Sequence, residues 1–269
     1  MNETMRKLGA ERSAIRELFE YGKKRSAEVG ADHVFDFSIG NPSVPTPPEV
    51  SAELTRLLRE SDPVALHGYT SAQGDPAARR AIAAHLNRTY SAEADPDLIY
   101  LTAGAAASLT VSLNAILNAG DEVILLAPFF PEYRVFVERA GGQVRIVQPD
   151  PETFLPDFEA LEAAIGDRTR ALILNSPNNP SGAILSEDGL RRLCGILDAA
   201  EKRYGHPVWL LSDEPYRELV WDESRIPFVT QYYGNSLVLY SYSKSLSLPG
   251  ERIGNILVSS RAQDARGIY

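Results

Sequence analysis

Residues 240–254 read Tyr240-Ser-Tyr-Ser-Lys-Ser-Leu-Ser-Leu-Pro-Gly-Glu-Arg-Ile-Gly254, and they follow the apolar run Ser236-Leu-Val-Leu. This run is short, is rich in strand-forming residues and comes after the breaker pair Gly234-Asn235, so we predict a buried strand. The strand leads to a lone lysine, Lys244. Because burial disfavours the charged form of a lysine, the segment predicts a lowered pKa and a nucleophilic amine at Lys244. Taken alone, the segment is equally compatible with a surface turn and a solvated lysine.

The same segment contains groups that bind phosphate. Ser241, Ser243 and Arg252 are the hydrogen-bond donors that a phosphate dianion needs nearby. Pyridoxal 5'-phosphate requires an amine that forms a Schiff base and a separate site for its phosphate group. The segment therefore favours a site for this cofactor, provided that other parts of the chain supply the remaining contacts.

Composition indicates an ordinary globular protein with an ample core. The chain has 269 residues, of which 44% are hydrophobic and 23% charged, as in typical globular domains. The net charge of −9 argues against a nucleic-acid partner, and no apolar run is long enough for a membrane span. The single cysteine, Cys194, fits a reducing compartment, so we predict a cytoplasmic protein. The histidines lack metal-ligand spacing, and we expect no metal site.

Strand and helix patterns alternate over most of the chain. We predict strands at 98–102, 122–127, 144–147, 171–175, 208–212, 237–240 and 255–259, with helices at 105–118, 132–140, 156–165 and 186–204. Near-continuous apolar strands that alternate with helices are typical of parallel sheets buried on both faces. The pattern therefore predicts an α/β fold with a mainly parallel seven-stranded sheet and helices on both faces.

The first 48 residues are predicted to form a separate part of the protein. Within residues 12–29 we predict a helix that starts at Ser13, followed by a strand at 34–39. Residues 43–48 are predicted to form an extended, proline-stiffened crossing between the two parts. Helices at 49–60 and 76–90 follow. We place the boundary after the crossing, which gives one part at 1–48 and a large domain at 49–269.

Small and polar residues follow five of the predicted strands. In open α/β sheets, ligands bind beyond the carboxyl ends of the strands. The segments found there are Gly104-Ala-Ala-Ala-Ser108, Pro128-Phe-Phe-Pro131, Asn175-Ser-Pro-Asn-Asn-Pro-Ser-Gly182, Asp213-Glu-Pro-Tyr216 and Ser241–Lys244. We therefore predict a single ligand site at this edge of the sheet.

Three side chains in these segments could bind a pyridine ring. Asp213 could hold a protonated ring nitrogen by a charge-assisted hydrogen bond, although an aspartate before a turn can also serve as a cap. Tyr216 and Asn179 could hold the ring's 3-oxygen. A packed tyrosine and a purely structural Asn-Pro-Ser-Gly turn are the alternatives for these two residues.

Other positions could contact the phosphate and the ring face. Ala105 and Ala106 open a predicted helix, and their backbone N–H groups could bind an anion, although alanine-rich helix starts are common. Phe130 could stack on a flat ring or could belong to the core.

Together these motifs resemble the fold-type-I pyridoxal-phosphate aminotransferases of class I/II, the aspartate-aminotransferase-like group. The resemblance rests on Gly104-Ala105-Ala106, Pro128-x-Phe130, Asn178-Asn179-Pro180-x-Gly182, Asp213-x-x-Tyr216 and Ser241-x-Ser243-Lys244 with Arg252. It extends over about residues 35–259. It implies the large-domain fold of that family in residues 49–269, and the N-terminal part of a small domain in residues 1–48.

The resemblance also implies a role for each site residue. Lys244 would be the Schiff-base lysine that moves the substrate Cα proton, with Asp213 and Tyr216 as the other catalytic residues. Asp213 would hold the pyridine nitrogen, Tyr216 and Asn179 the 3-oxygen, and Phe130 the ring face. The phosphate would be bound by Ser241, Ser243, Arg252, Ala105 and Ala106. Asn179 and the backbone of Gly40 would contact the substrate, and Tyr69 would reach the site of the neighbouring subunit in a homodimer.

The implied activity is transfer of an amino group from an amino acid to a 2-oxo acid. The sequence does not identify which amino acid is the donor or which 2-oxo acid is the acceptor. A lyase or decarboxylase on the same fold is the alternative among enzymes, and a non-catalytic sensing domain is the alternative outside them. Members of this family continue beyond the lysine segment into a C-terminal part of the small domain that carries a substrate-binding arginine. We therefore expect the chain to be a fragment that lacks this part and could be inactive by itself.

Overall fold

The computed structural model describes residues 3–10, 14–221 and 224–269. The chain divides into two compact units, residues 1–45 and 46–269. The predicted helix start at Ser13 lies outside the described residues. Within the described ranges, no helix combines the length and the apolar character needed to cross a membrane.

The first unit contains helices α1 (Glu3–Ala10) and α2 (Ala14–Val29) and a 3₁₀ turn, Ala31–His33. The strand predicted at 34–39 is wrong, because these residues have no regular secondary structure. Alternating apolar residues form a stable strand only where a neighbouring strand accepts their backbone hydrogen bonds. The described part of this unit offers no such neighbour, and Phe35 and Phe37 are exposed.

The second unit is built on a seven-stranded sheet. Its strands are β1 (Ile99–Thr102), β2 (Glu122–Leu126), β3 (Gln143–Val147), β4 (Thr169–Asn175), β5 (Trp209–Asp213), β6 (Ser236–Ser241) and β7 (Gly254–Val258). Their spatial order is β1-β7-β6-β5-β4-β2-β3. Strand β7 runs antiparallel to both of its neighbours, and the other adjacent strands are parallel. The predicted mainly parallel seven-stranded sheet is confirmed.

Several helices of the second unit begin at sequence signals that are easily recognised. They are α3 (Pro48–Glu60), α4 (Pro63–His67), α5 (Pro76–Tyr90), α6 (Ala105–Ile116), α7 (Glu132–Arg139), α8 (Phe158–Ala164), α9 (Glu187–Tyr204), α10 (Tyr242–Ser245) and α11 (Ala265–Ile268). The Asp75 carboxylate caps α5 by accepting a 2.8 Å hydrogen bond from the Ala78 amide, with proline in the first turn. Helices α4 and α10 were not predicted from the sequence, because both are too short to show a helical period.

Both faces of the sheet are covered because successive strand residues point to opposite sides. In β4, Leu172 and Leu174 belong to one hydrophobic cluster together with residues of α8 and α9. Ala171 and Ile173 belong to a second cluster together with residues of α6 and α7. Fully burying a side chain such as Leu172 contributes about 1.5–3 kcal/mol to folding, so the two clusters explain why the helices pack on both faces.

The parallel strands bring polar residues to one edge of the sheet. Asn175 and Asp213 are the last residues of β4 and β5, and they are paired in register. Strand β6 lies on the other side of β5 and ends at Ser241, immediately before α10. The carboxyl ends of three neighbouring strands therefore present an amide, a carboxylate and a hydroxyl side by side.

Candidate active site

A cavity of about 170 Å³ lies at this edge of the second unit. It is lined by ten of the predicted site residues: Ala105, Ala106, Phe130, Asn179, Asp213, Tyr216, Ser241, Ser243, Lys244 and Arg252. Tyr69 does not line the cavity, and its side chain is fully exposed. Gly40 belongs to the first unit. Segments far apart in the sequence thus meet around one space.

Asp213 is the buried carboxylate of this cavity. The Tyr133 hydroxyl donates a 2.5 Å hydrogen bond to Asp213 Oδ2, and the Asn175 amide donates to the Asp213 backbone carbonyl over 2.8 Å. Asp213 Oδ1 is buried and accepts no hydrogen bond from any described residue. Burial raises the pKa of Asp213 to about 7, the Tyr133 hydrogen bond opposes the rise, and the negative charge of Glu214 adds to it.

A buried acceptor without a donor lowers the stability of the folded state by about 1–3 kcal/mol, and by more if it is charged, because it has given up its hydrogen bonds to water. Asp213 Oδ1 is therefore suited to a ligand that brings a donor, above all a cationic N–H. A protonated pyridine nitrogen is such a donor.

Asn179 and Tyr216 form a second polar pair on the cavity wall. The Asn179 backbone amide donates to Asn175 Oδ1 over 2.7 Å, which ties the 178–182 turn to the end of β4. Burial raises the pKa of Tyr216, the charge of Asp213 raises it further, and a hydrogen bond from the Asn179 side chain opposes the rise. The pair keeps a phenol and an amide close to the buried carboxylate.

Lys244 lies on the one-turn helix α10, which begins directly after β6. The Ser241 side chain caps this turn by accepting a 3.1 Å hydrogen bond from the Ser243 amide, and it donates to the Ser243 hydroxyl over 2.7 Å. Partial burial lowers the pKa of the Lys244 amine. Asp213 and Lys244 line the same cavity, so an amine and a carboxylate could contact one ligand.

The remaining wall is rich in donors to an anion. Gly104 precedes α6 with φ at +84°, and a Cβ built on it would lie 2.7 Å from Arg252 Nη2. Glycine therefore leaves room for the guanidinium at its observed place, which a Cβ would displace. Ala105 and Ala106 begin α6, where the N–H groups of the first turn have no partner within the helix. With the hydroxyls of Ser241 and Ser243, these groups suit a phosphate dianion.

Two residues that contribute to the site, Tyr133 and Asn175, were given no role by the sequence analysis. Tyr133 lies in a predicted helix, three residues after Phe130, and its ring packs edge-on against the Phe130 ring at 5.6 Å. Nothing in the sequence distinguishes it from an ordinary core residue. Asn175 is the first residue of the segment 175–182. An amide side chain at the end of an apolar strand is the signal that could have identified it as a site residue. Its contacts to Asp213 and Asn179 link two strand ends.

The fold and the cavity define an α/β protein whose sheet edge combines a lysine, a buried carboxylate and an anion-binding wall. A model of the aminotransferase class I and II family matches residues 32–266, and the chain belongs to this family, as its motifs predict.

Similar proteins agree with this assignment. An aspartate aminotransferase of Pyrococcus horikoshii is 31% identical over 252 residues, which cover 93% of this chain and 60% of the relative. The crystal structure of an amino transferase from Eubacterium rectale is 53% identical with a TM-score of 0.97, covering all of this chain and 68% of that one. The aspartate aminotransferase of Thermus thermophilus with maleate is 28% identical with a TM-score of 0.83, covering 98% and 66%. The chain spans about 60% of the length of the curated relatives it matches.

Proposed function

We propose that this chain is the cofactor-binding part of a pyridoxal-phosphate-dependent aminotransferase, which moves an amino group from an amino acid to a 2-oxo acid. The observation that carries the proposal is the shared cavity of Asp213 and Lys244, with an unsatisfied oxygen on the carboxylate and a lowered pKa on the amine. Relatives named aspartate aminotransferase support the reaction class. They also make aspartate the first amino donor to test.

The side chains present fit pyridoxal 5'-phosphate. Asp213 Oδ1 would accept a hydrogen bond from the ring nitrogen, and Asn179 and Tyr216 would hold the 3-oxygen. Phe130 would lie against the ring. The phosphate would be held by Ser241, Ser243, Arg252 and the amides of Ala105 and Ala106. When bound, the cofactor supplies an electron sink for negative charge at the substrate Cα.

Lys244 would do the proton chemistry. Its lowered pKa leaves more of the amine neutral near pH 7, so Lys244 Nζ can accept a proton from carbon and return it. Asp213 would keep the ring nitrogen protonated by pairing with it as a carboxylate. Leu109 and Phe136 add apolar surface to the cavity, which reduces the water around the amine and favours its neutral form.

We also propose the wider organisation that the family resemblance implies. Residues 1–48 would form the N-terminal part of a small domain, and residues 49–269 the cofactor-binding large domain. Tyr69 would reach the phosphate of a neighbouring subunit in a homodimer, and its full exposure supports this role. Gly40 and Asn179 would contact the substrate, and the protein would act in the cytoplasm.

The test is to locate the covalent attachment of the cofactor. The chain is incubated with pyridoxal 5'-phosphate, reduced with borohydride and digested, and the modified peptide is identified by mass spectrometry. We expect the label on Lys244, and its loss in Lys244→Ala. The matched control is Lys202→Ala at an exposed lysine of α9, which should keep the label. A wild-type chain without label, or with label only on another lysine, would refute the proposal.

A further inference from the structure

Tyr133 is a rigidly held side chain next to the buried carboxylate. It lies in α7 with 2% of its surface exposed, and it belongs to the hydrophobic cluster between α6, α7 and the sheet. Its ring contacts the Phe130 ring edge-on, while its hydroxyl donates to Asp213 Oδ2. Because close packing opposes a change of side-chain rotamer, the hydroxyl is fixed at the carboxylate.

The main chain of Asp213 is fixed as well. Asp213 pairs with Asn175 on one side and with Leu239 of β6 on the other, and its carbonyl accepts the Asn175 amide. With the backbone and Oδ2 both held, Oδ1 is the acceptor that the described residues leave unsatisfied.

The neighbouring acid does not compete for this role. Glu214 Oε1 accepts a 2.6 Å hydrogen bond from the Ser212 hydroxyl. Glu214 Oε2 forms a buried ion pair with Arg217. Both of its oxygens are therefore engaged elsewhere. The other ionisable groups on the cavity wall are Tyr216, Lys244 and Arg252.

We propose that Tyr133 is a positioning residue that holds Asp213 Oδ2 and thereby reserves Oδ1 for the ring nitrogen of the cofactor. This inference rests on the proposed function. A donor to the ionised form of a carboxyl group favours that form, so the same hydrogen bond opposes the burial and the Glu214 charge that raise the pKa of Asp213. Without the Tyr133 hydroxyl, more of the Asp213 carboxyl would be protonated near pH 7, and a neutral carboxyl would accept only a weaker hydrogen bond from a pyridinium N–H.

The first test uses the protein without added cofactor. Aspartate carboxyls are labelled with ¹³C, and the Asp213 resonance is assigned by its loss in Asp213→Asn and titrated in wild type and Tyr133→Phe. We expect the Asp213 pKa to rise in Tyr133→Phe. Incorporation of 3-fluorotyrosine at position 133 keeps the shape of the side chain and strengthens the donor, so it should lower that pKa even if Tyr133→Phe does not fold. An Asp213 pKa that responds to neither change would overturn the proposal.

The second test measures cofactor affinity. Pyridoxal 5'-phosphate is compared with its 1-deaza analogue, in which the ring nitrogen is replaced by carbon. Wild type should prefer the nitrogen-containing ring, and Tyr133→Phe should reduce this preference by about tenfold, as expected for a lost hydrogen bond to a charged group. Asp213→Asn should reduce the preference too.

The matched control is Tyr233→Phe, which also removes a buried hydroxyl, in this case one that donates to the Val208 carbonyl over 2.9 Å. It should leave the preference unchanged. A full preference in Tyr133→Phe, with the preference lost in Asp213→Asn, would overturn the role of Tyr133 and leave the proposed function standing. No affinity of wild type for either ring would instead refute both.

Discussion

Replacing Gly104 by alanine should weaken phosphate binding as well as destabilise the fold. The substitution places a Cβ 2.7 Å from Arg252 Nη2, at a residue with φ of +84°. With ψ at 170°, Gly104 lies in a region of backbone space that is essentially restricted to glycine, and an L-residue there costs roughly 1–3 kcal/mol. The clash itself is relieved cheaply, because the atom that it meets is the end of a flexible side chain. The guanidinium must then leave its place beside the start of α6.

The loss of binding can be estimated from the displaced group. A hydrogen bond to a charged partner contributes about 1.5–3 kcal/mol, so removing one arginine contact should weaken pyridoxal phosphate binding by roughly 10- to 100-fold. Gly205→Ala is the matched control. Gly205 has φ of +77°, and a Cβ there meets nothing within 4 Å. Gly205→Ala should therefore strain the backbone without weakening the binding of pyridoxal phosphate.

The assay combines urea unfolding with calorimetric titration of pyridoxal 5'-phosphate into both variants and wild type. We expect a loss in the free energy of unfolding for both variants, the larger one in Gly104→Ala, because Gly205 lies in the left-handed α region that L-residues tolerate better. Weaker binding is expected only in Gly104→Ala. Equal affinities in Gly104→Ala and Gly205→Ala would show that Arg252 does not hold the phosphate, or that Gly104 does not fix its place.

Two further predictions concern buried charges. The pKa of Asp213 is about 7 in the folded chain and near 4 when unfolded, so the folded state binds more protons between these values. The contribution of Asp213 to the stability of the cofactor-free chain should therefore fall as pH rises from 4 to 7, by at most about 4 kcal/mol. Asp213→Asn should flatten this dependence, and equal pH slopes in urea unfolding would contradict the reasoning. Arg217→Met leaves Glu214 buried without its ion-pair partner and should cost about 3–5 kcal/mol. In contrast, Arg191→Met breaks a fully exposed pair with Glu187 that water screens, and it should cost far less; similar losses would refute the distinction.

Several features of this protein are properties of short stretches of sequence. The strands were predictable because apolar runs bounded by turn residues are local patterns. The candidate residues were predictable because an isolated lysine, an aspartate and an Asn-Asn-Pro turn stand out immediately after such runs. The predicted α/β class and family therefore needed no coordinates.

Only the tertiary structure decided which of these patterns become real contacts. The run at 34–39 alternates like a strand, but strand formation also depends on a hydrogen-bonding neighbour, which local sequence does not encode. Tyr133 and Asp213 are 80 residues apart, and their contact exists because the fold brings the start of α7 close to the end of β5. The pKa of Asp213 near 7 likewise follows from burial, which is a property of the assembled fold and is absent from any single segment.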